Sequence, residues 1–366
     1  MQANATSRVK GFDVARALAV FGMVVVNFKI AQEATSGDPM LLNLAASLEG
    51  RAAALFVILA GIGISFLSRG AVDTADSQAL RGVRVSLFKR GLLLIVLGLA
   101  FVPIWPADIL HFYGFYFLLA AGVVTWQNQR LLWLVVAVVF AFPLLLLLFD
   151  YSHGWNWDTL DYHGFWTFDG MFRHIFFNGF HPVIPWVGFL LFGLWFGRQN
   201  LSAGQRRRQL FATAFALWLA TETVFNWWGA VFFNPQDWQI SAEEANFLFS
   251  TQVIPPMPQY LLAAGSMAVM VTIGCLVLAE RFGDSWPVDA LYKTGQMALT
   301  LYVLHVLLGM GLMEATGHLG GQKIGESLLW SLGYCSFAVV FSLVWLSRLR
   351  HGPLEWMFKK LVAKTI

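Results

Sequence analysis

Charge is scarce in this chain, and so is cysteine. Lys, Arg, Asp and Glu make up 12% of the 366 residues, hydrophobic residues make up 58%, and mean hydropathy is +0.63. That balance excludes a soluble globular protein, in which about a quarter of residues are charged. The two cysteines, Cys275 and Cys335, fall inside apolar runs, which excludes a disulfide framework or a cysteine zinc site. The apolar runs also lack the period-2 alternation of a barrel strand. No soluble domain, coiled coil or low-complexity tract interrupts them, and Gly61-Ile62-Gly63 lies inside one, so it is no nucleotide loop. Arg8, Lys10, Asp13 and Arg16 lead into the first run without a small-residue cleavage pattern, which predicts that the first helix stays as an anchor.

In lipid, backbone polar groups must be satisfied internally, so continuous apolar runs of helix length predict an all-α, polytopic transmembrane helical bundle in a single domain. About ten spans are expected, near Val14–Ile30, Ala52–Leu67, Gly91–Trp105, Ile109–Trp126, Leu131–Phe149, Val183–Phe196, Leu210–Phe232, Tyr260–Ala279, Met297–Met313 and Ser327–Leu346. With that division, all but Lys29, Arg51, Arg173 and Lys323 of the 24 Lys and Arg residues fall on one face, from Arg8 to Lys364. The excess of basic residues places both termini in the cytoplasm, with the longest external segments at 150–182 and 229–259. The formal charge of +3 is then a topology signal and a contact for anionic lipid heads, with no reason to invoke nucleic acid.

Within these runs, two ionisable residues stand out, Glu222 and His305. An ionisable group in a span is unfavourable unless it faces a partner or a wet cavity, so it marks a candidate site. His305 follows Tyr302 by three residues and precedes Gly309 by four, which puts a ring base, a phenol and a bare backbone patch on one helix face. Glu222 shares a face with Asn226 at i+4 and is a candidate acid, proton carrier or interhelical link. Asp13, Arg16 and Asn27 fall within about 60° of each other on the first helix and form one polar stripe. Asp108 and His111 at i,i+3 form a candidate dyad in which the carboxylate orients the ring. His181 opens the sixth span, where the helix N-terminus is positive, and is a further candidate base.

The segment holding His153, Asp158, Asp161, His163, Asp169 and His174 carries possible ligands, yet follows none of the compact zinc spacings, so no metal is expected. Its Trp155, Trp157, Phe165, Trp166 and Phe168 read as an interfacial aromatic belt or a re-entrant cover.

Arg8 to Asn27 reads RVKGFDVARALAVFGMVVVN, with an Asp, an Arg three residues on, and an apolar run ending in Asn. Four later blocks accompany it: Gly50 to Gly61 (GRAAALFVILAG), His111 to Leu119 (HFYGFYFLL), His181 to Arg198 (HPVIPWVGFLLFGLWFGR) and Gly295 to His305 (GQMALTLYVLH). In this order the blocks resemble the bacterial YeiB-like membrane proteins and the heparan-alpha-glucosaminide N-acetyltransferase-like family. The resemblance implies a multi-pass acyltransferase of the bacterial inner membrane, in which cytosolic acyl-coenzyme A donates its acyl group to a hydroxyl or amine acceptor reached from the opposite face. The acetyltransferases of that superfamily use a His in the first external loop, whereas Lys29 to Gly50 here contains none.

Within the acyltransferase frame that the resemblance implies, the physical reading of the residues makes His305, Glu222, His111 and Asp108 the catalytic candidates. Asn27, Tyr302, Asn226 and His181 are the substrate-binding candidates. Asp13, Arg16 and Arg198 are the candidates for holding the acyl-CoA donor. A different class stays open beside this one: a small-solute or lipid transporter, or a non-catalytic subunit of a membrane complex or homo-oligomer, in which Glu222 and His305 bind solute, relay protons or hold helices.

Overall fold

The computed structural model describes residues 9–157 and 159–363; Arg8, Asp158 and Lys364 of the sequence reading lie outside the described residues. In chain order the helices are α1 (Lys10–Ala31), α2 (Pro39–Ala46), α3 (Arg51–Asp73), α4 (Ser77–Phe101), α5 (Leu110–Val123) and α6 (Asn128–Leu148). Then come α7 (Phe168–Arg173), α8 (Val183–Phe196), α9 (Gly204–Glu222), α10 (Gly229–Phe232), α11 (Pro235–Trp238) and α12 (Ala242–Phe249). The last six are α13 (Pro258–Phe282), α14 (Trp286–Gly295), α15 (Ala298–Leu304), α16 (Gly311–Ala315), α17 (Ile324–Arg348) and α18 (Pro353–Ala363). The only strands among the described residues are the two-residue pair Trp155–Asn156 and Asp161–Tyr162. The protein is therefore all-α.

Among the described residues, six helical stretches are long and apolar enough to cross a membrane: α1, Pro39–Asp73, α6, α13, Ala298–Ala315 and α17. A seventh results if Phe168–Asn178 and Val183–Phe196, bent by 48°, form one span. The expected count of about ten spans is not confirmed, although each expected segment overlaps a helix. The expected span at Ile109–Trp126 corresponds to the short apolar helix α5, and those at Gly91–Trp105 and Leu210–Phe232 fall on α4 and α9, which do not reach the same length-and-hydropathy standard.

Helix starts follow local chemistry. Asp38 accepts from Met40 N and Leu41 N ahead of Pro39, and Asp76 accepts from Gln78 N and Ala79 N, so each N-cap carboxylate answers orphan amides. Ser241 and Glu244 bond each other's backbone amides in a capping box that opens α12.

The chain divides into two compact units. One comprises the N-terminal part through Phe56 with Met267–Lys360; the other comprises Val57–Ser266 with the residues from Leu361. In the first unit, α1 is the central element and packs against α14, α15 and α17. A Cβ at Gly295 would lie 1.7 Å from the Asp13 carbonyl oxygen, so α14 approaches the backbone of α1 at a place where only glycine fits. In the second unit, α4 packs on α5 and α6 on α8. Gly61 and Gly193 let α3 and α8 meet backbone to backbone: added Cβ atoms would sit 2.1 Å from Leu190 O and 2.2 Å from Ile58 O. Gly61 thus serves helix packing.

Gly295→Ala is expected to lower the melting temperature in detergent, because an extra methyl in a filled contact costs about 1–3 kcal/mol or more. Gly274→Ala, which meets open space, serves as the control and is expected to leave it unchanged or slightly raised. Equal melting temperatures for the two variants would contradict the backbone contact.

Candidate functional site

The polar stripe expected on α1 is present and faces the C-terminal helices. Asn27 Nδ2 lies 2.9 Å from His305 Nε2, joining residues 278 positions apart. His305 Nδ1 contacts the Tyr302 carbonyl, which can only accept, so Nδ1 carries the proton and Nε2 accepts from the Asn27 amide. The ring is fully buried among Phe28, Tyr302 and Tyr334, at centroid distances of 6.2, 5.0 and 6.4 Å. Tyr334 is held in turn by its hydroxyl, which donates to Leu301 O at 2.7 Å. At the other end of the stripe, Asp13 and Arg16 form the expected ion pair.

His305 begins a π-helical turn, His305–Met310, between α15 and α16. The extra residue in such a turn re-aims the side chains that follow. Gly309, expected on the face of Tyr302 and His305, lies against Phe28: a Cβ there would sit 2.5 Å from Phe28 Cζ. A cavity of about 800 Å³ has Phe28, Leu308, Gly309 and Tyr334 in its walls; Phe28 and Tyr334 stand between it and His305, which does not line it. His318, Gln322 and Glu326 make it polar near the first turn of α17.

Glu222 ends α9 and is 4% exposed. Its Oε2 accepts from Asn226 Nδ2 at 3.0 Å, as the i+4 spacing predicts, and from Thr251 Oγ1 at 3.1 Å. A second π-helical turn, Thr223–Trp227, follows it directly. The carboxyl group thus links α9 to the segment before α13.

The Asp108 and His111 dyad is present and completely buried, with His111 Nδ1 at 3.2 Å from Asp108 Oδ2. The same oxygen accepts from Leu110 N at 2.8 Å and His111 N at 3.3 Å, so Asp108 also caps α5. Gly98 of α4 makes room, since a Cβ there would meet His111 N at 2.1 Å. His111 Nε2 has no hydrogen-bond partner among the described residues. His174, which starts the third π-helical turn, stacks on His111 at 6.0 Å and 22°. The His181 ring stands at 4.6 Å and 77° to Trp186, and its carbonyl accepts from the Tyr116 hydroxyl at 2.5 Å.

The segment before α7 folds as a cover held by Asn178. Its Nδ2 donates to Tyr151 O and His153 O at 2.8 and 2.9 Å, its Oδ1 accepts from Tyr162 at 3.0 Å, and its carbonyl accepts from Trp155 Nε1 at 2.6 Å. Burial raises the Tyr162 phenol above its ordinary value, although Arg173 and Asn178 act in the opposite direction. No group of three metal-ligating side chains converges among the described residues.

Arg198 donates to Trp126 O at 2.6 Å, Val124 O at 2.7 Å and Asn128 Oδ1 at 3.1 Å, answering carbonyls at the end of α5 and the turn into α6. Burial draws its guanidinium below the usual value.

Two families match the chain. Heparan-alpha-glucosaminide N-acetyltransferase, catalytic, covers residues 8–231. The chain belongs to this family. The description protein of unknown function (DUF418) covers residues 196–365, in keeping with the YeiB-like resemblance. No curated protein matches. The protein is therefore a multi-pass member of a membrane acyltransferase-like family, and its Asn27 lies in the first of the two matched regions while His305 lies in the second.

Within this family frame, sequence reasoning missed Thr251, Asn178, Tyr334 and Glu355, which accepts from Leu299 N at 2.8 Å and Thr300 N at 3.0 Å. Only Glu355 left a trace, as an acidic residue near the start of a C-terminal amphipathic stretch. Asn178→Ala is expected to cost about 1–3 kcal/mol, because it leaves buried groups unpaired, and to open residues 150–167 to limited proteolysis. An unchanged digestion pattern would show that Asn178 does not hold the cover.

Proposed function

We propose that this protein is an inner-membrane acyltransferase that transfers an acyl group from cytosolic acyl-coenzyme A to a hydroxyl or amine acceptor reached from the external side. Family membership over residues 8–231 carries this reading. The distribution of Lys and Arg supports the orientation, with both termini in the cytoplasm.

His305 acts as the base in this reading. Its Nδ1 proton is held by the Tyr302 carbonyl, leaving the Nε2 lone pair to accept a proton. At rest Asn27 donates to that lone pair; the acceptor's O–H or N–H replaces it there. The acceptor heteroatom attacks the thioester carbonyl as its proton passes to Nε2, and the C=O electron pair moves onto oxygen. The displaced Asn27 amide is then a donor for that oxyanion. Collapse breaks the C–S bond, and the imidazolium returns the proton to the coenzyme A thiolate. Asp13 and Arg16, on the helix that carries Asn27, are the donor-holding pair, with the guanidinium suited to phosphate oxygens.

One observation favours the non-catalytic alternative: both ring nitrogens of His305 are satisfied within the protein and the ring is fully buried. Transmembrane bundles use such hydrogen bonds as links between helices.

Turnover separates the two readings. With acetyl-coenzyme A and a panel of amine and alcohol acceptors, His305→Gln is expected to lower kcat by about 10²–10⁴-fold, with Asn27→Ala also lowering it. If the folded His305→Gln protein turns over at the unaltered rate, His305 is not the base.

A further inference from the structure

The second unit contains a pocket that acyl transfer at His305 does not use. It has a volume of about 430 Å³, and five aromatic side chains are among its walls: Trp155, Tyr162, Phe165, Trp166 and Phe180. Neighbouring rings stand nearly at right angles. Trp155 meets Tyr162 at 88° and 5.1 Å, Phe165 meets Trp166 at 88° and 5.0 Å, and Trp155 meets Phe180 at 76° and 4.8 Å. Rings crossed at such angles expose faces as well as edges around the pocket they line.

The polar groups of this pocket share one character. Asp161 contributes a carboxylate to the lining, and His174, which is 3% exposed, contributes an imidazole. His174 Nδ1 has no hydrogen-bond partner among the described residues. Behind it the stacked His111, also with an unpartnered nitrogen, leads to the buried Asp108 carboxylate. No Lys or Arg lines the pocket among the described residues; Arg173, which bonds the Tyr162 phenol, has its charge countered by its pair with Asp169. Aromatic faces carry negative potential, and a carboxylate adds to it, so the interior attracts a cation. The pocket is too apolar to replace the water shell of a hard metal ion, and its ligating side chains do not converge for one.

We propose that this pocket binds a small organic ammonium ion, with Trp155, Tyr162, Phe165, Trp166 and Phe180 around its alkyl groups and Asp161 countering its charge. The same group occurs on free solutes and on phospholipid headgroups. The proposal stands independently of the acyltransferase reading.

Isothermal titration calorimetry on the full-length protein, in a detergent free of ammonium groups, tests it with choline and with 3,3-dimethyl-1-butanol, choline's uncharged isostere. Saturable binding of choline with none for the isostere is expected. Trp166→Leu and Asp161→Asn, both at exposed positions compatible with folding, are expected to weaken choline by about five-fold or more. Absence of choline binding, equal binding of the isostere, or unchanged affinity in both variants would overturn the proposal. Dihexanoylphosphatidylcholine distinguishes the sources. Competition with choline assigns the site to a lipid headgroup, and choline binding insensitive to this lipid assigns it to a free solute; both outcomes support the ammonium site.

Discussion

An imidazole inside an apolar helix is stabilised when its nitrogens find partners, and at His305 both do, which ties the two ends of the chain together. Tyr302 O satisfies one nitrogen of His305 from the same helix. Asn27 satisfies the other from α1. The hydrogen bond requires α1 to lie close to the C-terminal helices, which the bare backbone at Gly295 permits against Asp13. The polar stripe of α1 and the packing of the first unit are thus two consequences of one requirement. Breaking the bond would strand a buried nitrogen on His305, which is why a structural role and a chemical one are both compatible with the same geometry.

The three π-helical turns share a pattern. His174 and His305 begin theirs, and Glu222 immediately precedes the third. Each inserts one extra residue beside an ionisable side chain, and this displaces the following side chains around the helix. Such turns interrupt the regular backbone ladder. Their recurrence beside the ionisable residues indicates that the helices are adapted locally to place those groups, while the rest of each helix follows ordinary packing.

Much of this was legible in the sequence. Scarce charge and helix-length apolar runs specified an all-α membrane protein. The i,i+3 and i,i+4 spacings found Asp13 with Arg16, Asp108 with His111 and Glu222 with Asn226, because neighbours on one helix face follow from helix geometry alone. The Asn27 to His305 bond was only half legible: each residue stood out, but 278 intervening residues hid the pairing. Thr251, in an external segment, and Tyr334, in an apolar run, gave no signal, since a hydroxyl is common in either place and its partner is set by tertiary contact. The aromatic residues Trp155, Trp157, Phe165, Trp166 and Phe168 read as an interfacial belt or a re-entrant cover. Their arrangement depends on Asn178 pinning the loop, a role that no spacing encodes.

The central claim is that this member of an acyltransferase-like family uses acyl-coenzyme A. Calorimetric titration of the purified protein with acetyl-coenzyme A and longer acyl-coenzyme A species, with free coenzyme A as the comparison, tests it most directly. The account predicts saturable binding, weakened by Arg16→Ala. Absence of binding across all donors would contradict it and favour a role for the Asn27 and His305 pair in holding helices together.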